Sequence, residues 1–139
     1  MEYVEIYVDG ACLGNPGPGS WAAVFVCKGK TKDISGYVSE HTTNNRMELM
    51  AAIQGLSALK RGVAVVTIFS DSQYLVNTMN EGWNRGANID LWEEIDRLVI
   101  PHKKVVWVWQ KGHAGSFYNE RADLLCQIAL KNRRGKELQ

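Results

Sequence analysis

Two apolar runs of strand period, residues 3–8 and 63–70, each stop at an aspartate, Asp9 after the first and Asp71 after the second. In the first, Val4, Ile6 and Val8 alternate with Tyr3, Glu5 and Tyr7, the pattern of a strand with unlike faces. The second is apolar nearly throughout, as expected of an interior strand covered on both faces. In open α/β sheets, sites form beyond the carboxyl ends of parallel strands, where the strand order reverses. If these two strands are parallel neighbours, Asp9 and Asp71 face one crevice.

The remaining periodicities fit that arrangement. Residues 20–27 read as a strand, and Lys28-Gly29-Lys30 turns it into a third at 32–40, an antiparallel hairpin. Residues 44–60 change to helical period, with Met47, Met50, Ala51, Leu56 and Leu59 near one stripe and Gly62 marking the end. A short helix starts at Ser72, and a glycine-broken stretch, 81–86, follows it. Asp90 is the expected N-cap of a helix carrying Leu91, Ile95 and Leu98 and stopped by Pro101. A last strand, 103–110, and a loop, 111–117, lead to a helix with Ala122, Leu125, Cys126 and Ala129 at helical spacing. This order predicts an α/β fold, a mixed five-stranded sheet with helices on both faces, its antiparallel meander first and parallel crossovers after it. A chain of 139 residues without repeat or linker is expected to form one domain, 1–139.

Two further acids join the aspartates. Glu48 falls early in the helix introduced by Thr42-Thr43-Asn44-Asn45, and Asp123 falls early in the last helix. Four converging carboxylates repel one another unless a cation lies between them, so they read as a cage for divalent metal serving phosphoryl chemistry. The formal net charge of +1 gives no strong whole-molecule field, so any nucleic-acid binding must come from local patches. Lys131, Arg133, Arg134 and Lys136 cluster near the C-terminus, and a solvated helix end is their simplest reading. Three cysteines, Cys12, Cys27 and Cys126, without a Cys-x-x-Cys pair argue against a disulfide framework and a thiolate zinc site. With neither a signal segment nor a membrane-length apolar run, a reduced, cytoplasmic protein with no membrane association is expected.

Four stretches also carry a family resemblance. They are Asp9 to Gly19, Thr42 to Leu49, Asp71 to Tyr74, and Lys111-Gly112-His113-Ala114-Gly115 followed by Asn119-Glu120-Arg121-Ala122-Asp123. In this order and across nearly the whole chain they resemble a bacterial-style type 1 ribonuclease H. The resemblance implies an endonuclease that cuts the RNA strand of an RNA–DNA hybrid and leaves 5′-phosphate and 3′-hydroxyl ends. It implies that Asp9, Glu48, Asp71 and Asp123 hold two Mg²⁺ ions about 3.5–4 Å apart. One lowers the pKa of the attacking water and the other stabilises the leaving 3′-oxygen. Hard oxygen ligands suit Mg²⁺, and Mn²⁺ is expected to substitute. His113, between Gly112 and Gly115, is implied to assist proton transfer or product release, for which a near-neutral pKa is suited.

For the substrate, the resemblance implies two readouts. Asn15, Asn44, Asn45 and Gln73 are the amides matched to the RNA 2′-hydroxyls, with Gly10, Cys12 and Gly14 offering close backbone approach. Asn44 and Asn45 are also ordinary helix-capping types. On the DNA strand, Thr43 and Asn88 match a phosphate pocket, and His41 stands where arginine is common, which weakens phosphate binding at neutral pH. Trp83 is the candidate aromatic of a DNA-strand channel, against the competing reading of a buried core tryptophan.

One departure stands out. Many relatives carry a lysine-rich extension before the motif Asp90-Leu91-Trp92, where this chain has only residues 81–89. A monomer that acts without an appended hybrid-binding module or an obligate protein partner is expected. A non-catalytic binding domain for hybrid or double-stranded RNA on the same fold would be expected to lose one of the four acids. A transposase- or integrase-like nuclease would lack the run 42–48 and the amides.

Overall fold

The computed structural model describes residues 2–60, 65–111 and 116–137, with side chains as far as Asn132 in the last segment. The first three strands are β1 (Tyr3–Cys12), β2 (Gly17–Cys27) and β3 (Lys30–Thr42), and α1 (Asn44–Ser57) leads from them to β4 (Val65–Ser70). Two helices, α2 (Gln73–Glu81) and α3 (Ile89–Val99), precede β5 (Lys104–Trp109), and α4 (Phe117–Glu137) follows it. The sheet order is β3-β2-β1-β4-β5. The first three strands are antiparallel, whereas β1, β4 and β5 run parallel. This is the expected mixed five-stranded sheet. Its hairpin turns at Lys28 and Gly29, whose φ values of 51° and 76° carry the double left-handed signature of a type I′ turn.

Alternation along the strands sorts the core into two layers. Val4, Ile6 and Val8 of β1, Val66 and Ile68 of β4 and Trp107 of β5 pack with α1, α2 and α3, through Leu49, Ile53, Leu75, Leu91 and Ile95 among others. On the opposite face, Tyr7, Ala22 and Val24 pack with Ala122 and Cys126 of α4. Helices thus cover both faces, but unequally. Alternate residues of β4 (Val65, Thr67, Phe69) are only half-buried, because α4 lies over β1 and β2. Phe69 is apolar because it stacks on Tyr7, with ring centroids 4.6 Å apart.

Several boundaries differ from the sequence expectations for physical reasons. β1 does not stop at Asp9. Its parallel ladder with β4 ends at Val8 and Ser70, while its antiparallel ladder with β2 continues to Cys12 and Gly19. Much of the glycine-rich stretch is therefore strand. α1 stops at Ser57 rather than 60, and Gly62 with residues 63 and 64 lies outside the described residues. The N-cap of α3 is Asn88, not Asp90. Asp90 sits inside the first turn, where an acid suits the helix dipole, and it accepts two hydrogen bonds from Arg46 of α1, at 3.0 and 2.8 Å.

The contact that positions the first turns of α1 is a bare-backbone one. A Cβ on Gly10 would lie 2.3 Å from the Met47 carbonyl carbon and 2.5 Å from the Glu48 nitrogen, so β1 and α1 approach this closely only at glycine. Gly10→Ala is expected to cost about 2–3 kcal/mol, the scale of overpacking a close-packed interior. Urea unfolding measures it, and an unchanged midpoint would show that the helix shifts freely.

Candidate active site

Four elements from both layers deliver the acids to one place. Asp9 lies on β1 one residue past the parallel ladder, and Asp71 lies one residue past β4. Glu48 comes from α1 and Asp123 from α4. Oxygens of Asp9, Glu48 and Asp71 all lie within 4.8 Å of one another. Asp123 closes the group from the other layer, near enough to share a hydrogen bond with Asp9. The four acids line a cleft of about 460 Å³ with Gly10, Ala11, Cys12, Asn44, Asn45, Ser72, Gln73 and Tyr74, and no lysine or arginine is among these lining residues.

Short polar contacts fix the supports of this cleft. Thr43 caps α1, its Oγ1 accepting from the Arg46 N–H at 3.2 Å, so Asn44 and Asn45 are released from the capping task. Asn44 is held instead through its own N–H, which donates to Asn15 Oδ1 at 3.0 Å. Ser72 caps α2 by accepting from Leu75 N–H at 3.1 Å, and its own N–H donates to Ser70 Oγ at 3.0 Å. Beneath Asp9, the buried Cys126 thiol donates to the Asp9 carbonyl at 3.2 Å, and Ser20 Oγ donates to the Cys126 carbonyl at 2.8 Å. The Cys12 thiol donates to the Thr42 carbonyl at 3.3 Å.

Most of the residues singled out from sequence converge here. Asp9, Glu48, Asp71, Asp123, Gly10, Cys12, Asn44, Asn45 and Gln73 line the cleft. Asn15 adjoins it through Asn44, and Gly14 lies in the exposed turn before Asn15 with φ 70°. Thr43 and Asn88 are linked by one residue: Arg46 donates its N–H to the first and its Nη1 to Asn88 Oδ1 at 3.2 Å. His41 is exposed at the end of β3. Trp83 is 46% exposed, which removes the core reading, and its Nε1 donates to Glu81 at 3.1 Å, away from the cleft lining. His113 lies outside the described residues.

Sequence reading missed the groups that brace the site. Tyr74 Oη accepts from Asn88 Nδ2 and from Trp92 Nε1, both at 3.1 Å, and so couples the cleft to α3. Arg46 carried a usable signal, since a basic residue in a helix's first turn opposes the dipole and needs a compensating partner. That partner is Asp90, whose carboxyl Arg46 holds down at about 2.

Comparison with known proteins agrees with this geometry. The RNase H family profile matches residues 1–131. The chain belongs to the ribonuclease H family. It is 49% identical to a protein named Ribonuclease H from Caldanaerobacter subterraneus subsp. tengcongensis, over 94% of this chain and 92% of that one. Among solved structures, the N-terminal RNase H domain of a Mycobacterium tuberculosis protein shares the fold, with TM-score 0.87, 24% identity and 99% of each chain covered. LC11-RNase H1, solved in complex with RNA/DNA hybrid, superposes with TM-score 0.80 at 25% identity over 94% of this chain and 98% of that one. The protein is thus an enzyme, a nuclease of this family. Among the described residues, no helix is long and apolar enough to cross a membrane.

The electrostatics of this ribonuclease H site fit a divalent cation. Burial first, then the charges of Asp71 and Asp123, pushes the Asp9 carboxyl from 3.8 up to about 8. Burial first, then Asp9 and Asp71, pushes Glu48 well up as well. The buried Glu48 Oε1 has no hydrogen-bond partner, which leaves an oxygen ligand unspent. Hard oxygen donors with uncompensated negative charge are what Mg²⁺-type ions take.

The sign of the pH effect follows. Between about 4 and about 8 the folded protein holds a proton on Asp9 that the unfolded chain has lost. Stability of the metal-free protein from this group is therefore full below about pH 4 and is lost as pH rises towards 8. In chelator, the Tm is expected to fall by at least ~5 °C between pH 5.5 and 8, given roughly 3 °C per kcal/mol for this size. Mg²⁺ should recover more at pH 8 than at 5.5, and Asp9→Asn should flatten the slope. Thermal melts in chelator check it; a Tm that climbs with pH alike in both proteins contradicts the account.

Proposed function

We propose that the chain acts as a single catalytic domain, an endonuclease hydrolysing the RNA strand of RNA–DNA hybrids to give 5′-phosphate and 3′-hydroxyl ends. The observation that carries this reading is the acid cluster with its unpartnered Glu48 oxygen, set in a cleft walled by amides. The hybrid bound by the structurally similar LC11 protein supports the substrate class. Asp9, Glu48, Asp71 and Asp123 are the residues that would hold two Mg²⁺ ions, for which Mn²⁺ substitutes. Bound there, divalent metal supplies Lewis-acid stabilisation of the phosphoryl group and a hydrolytic water active near neutral pH.

The chain's own residues supply orientation and discrimination. Asn44, Asn45 and Gln73 are exposed amides on the cleft wall, and each can both donate to and accept from a 2′-hydroxyl. Gly10 and Cys12 bring bare or slender backbone to the same wall. Thr43 and Asn88, joined by Arg46, form the edge assigned to a DNA-strand phosphate, with His41 beside it. Trp83 offers an exposed ring to the DNA strand. His113 is assigned proton transfer or product release from its motif. The three cysteines are free, which suits a cytoplasmic site of action, and a monomer needs no partner chain to complete the cluster.

The test is cleavage of matched RNA–DNA, RNA–RNA, DNA–DNA and single-stranded RNA substrates, with Mg²⁺ and with chelator. Metal-dependent cutting confined to the RNA of the hybrid is expected, and Asp9→Asn or Glu48→Gln should lower it by about 10³-fold, the scale of losing a principal electrostatic stabiliser. Hybrid binding without cutting would make the protein a binding module. Cutting of DNA–DNA would mean that the amides do not read the 2′-hydroxyl.

The missing extension sets the affinity. α2 and α3 are joined by residues 82–88, whose one cation, Arg85, is turned onto the protein. It pairs with Asp96 at 2.5 Å and lies 5.0 Å above the Trp92 ring. Each absent phosphate contact removes a counterion-release contribution of about 0.9 from the log–log salt slope. A higher KM and a shallower salt dependence than in relatives with the extension are expected, at similar kcat. KM measured beside an extension-bearing relative at 50 and 200 mM salt decides it, and a KM equal to the relative's at each salt concentration would count against it.

A further inference from the structure

Asp71 stands where its strand has already ended. The parallel ladder stops at Ser70, whose carbonyl accepts from the Gln110 N–H at 2.8 Å, and α2 begins only at Gln73. Between them, the Asp71 carbonyl accepts from the indole Nε1 of Trp109 at 3.1 Å. Trp109 is the last residue of β5, paired with Ser70, and the residue is 41% exposed. Burial of a core side chain therefore does not account for it. A residue of this size at the open end of an edge strand, with its N–H on the backbone of an acid, has the form of an outer support to a metal ligand.

We propose that Trp109 is a positioning residue for the metal cage: its indole N–H fixes the Asp71 peptide, and through it the direction of the Asp71 carboxylate towards Asp9 and Glu48. The proposal rests on the reading of Asp71 as a metal-holding group. The physical need is clear, because Asp71 enters a field of two acids that repel it, and constellations of this kind function only within about 0.5 Å of the productive geometry. Neither neighbouring hydrogen bond restrains the Asp71 carbonyl itself. Removing the indole N–H frees that peptide to rotate and carry the carboxylate outward.

Trp109→Phe keeps a ring and removes the donor. Its Mn²⁺ affinity, measured by calorimetry without substrate, is expected to fall about 10-fold, within the range for outer supports of metal ligands. Cleavage at limiting metal should fall with it and recover at high metal, with KM for the hybrid unchanged and the Tm in chelator close to that of the parent. In the unaltered protein, the Trp109 indole N–H resonance should shift on Mg²⁺ titration with the affinity of the cage, a readout that needs no variant. Unchanged Mn²⁺ affinity in Trp109→Phe, or an indole resonance indifferent to Mg²⁺, overturns the proposal. A raised KM at unchanged metal affinity overturns it too, by making the ring a substrate contact. Asp71→Asn separates the two readings. If it leaves Mn²⁺ affinity intact, the ligand assignment itself fails; if it weakens binding while Trp109→Phe does not, only the role of Trp109 fails.

Discussion

Mutual repulsion among carboxylates governs the architecture of this protein. Asp9, Glu48 and Asp71 come within 4.8 Å on three elements far apart in sequence, with Asp123 adding a fourth from the opposite layer. Without a cation, such a group favours separation or protonation, and the raised carboxyls of Asp9 and Glu48 record that pressure. The scaffold must therefore be stiff where it carries the acids. It is stiff by three means: a strand in two ladders at once, a helix seated on bare backbone at Gly10, and a thiol clamped beneath Asp9.

The sheet divides the labour. Its larger layer, under α1, α2 and α3, supplies Glu48 and the amide wall, and the polar chain from Arg46 through Asn88 and Tyr74 to Trp92 locks these helices together beside the cleft. The smaller layer, under α4, supplies Asp123, and α4 is tied to the sheet by Ser20 and Asp9 at Cys126 and by the Arg121–Asp33 ion pair. The site is thus a seam between layers, and each layer is organised by its own polar ties.

What the sequence made legible was what local pattern controls. Alternation in 3–8 and apolarity in 63–70 located two strands with an aspartate after each, and the parallel pairing of β1 with β4 meets the condition under which Asp9 and Asp71 share one crevice. Glu48 and Asp123 followed from helical phase and from family motifs. Features set by long-range pairing stayed hidden. Asp90 looks like a cap because caps are often aspartates, yet Arg46, 44 residues away in sequence, claims its carboxylate and the helix starts earlier. β1 outruns Asp9 because β2 is longer than β4, a comparison that no single run reveals. Trp109 fell unremarked within the last strand, 103–110, since the partner of its indole is a backbone atom, invisible in residue type.

The connection between α2 and α3 has left-handed hinges at both ends, Gly82 at φ 69° and Asn88 at φ 59°. On its far side, Asn88 and Asp90 are moored to Arg46 irrespective of the path the chain takes to reach them. Such a segment behaves as a socket. Chain can be inserted there at a closure cost of only about 0.6 kcal/mol for each doubling of length, without disturbing the moorings. Grip on the polymer and cutting power are then separable traits, which evolution or an engineer can vary one at a time by swapping what is plugged into a single stretch of seven residues, 82–88.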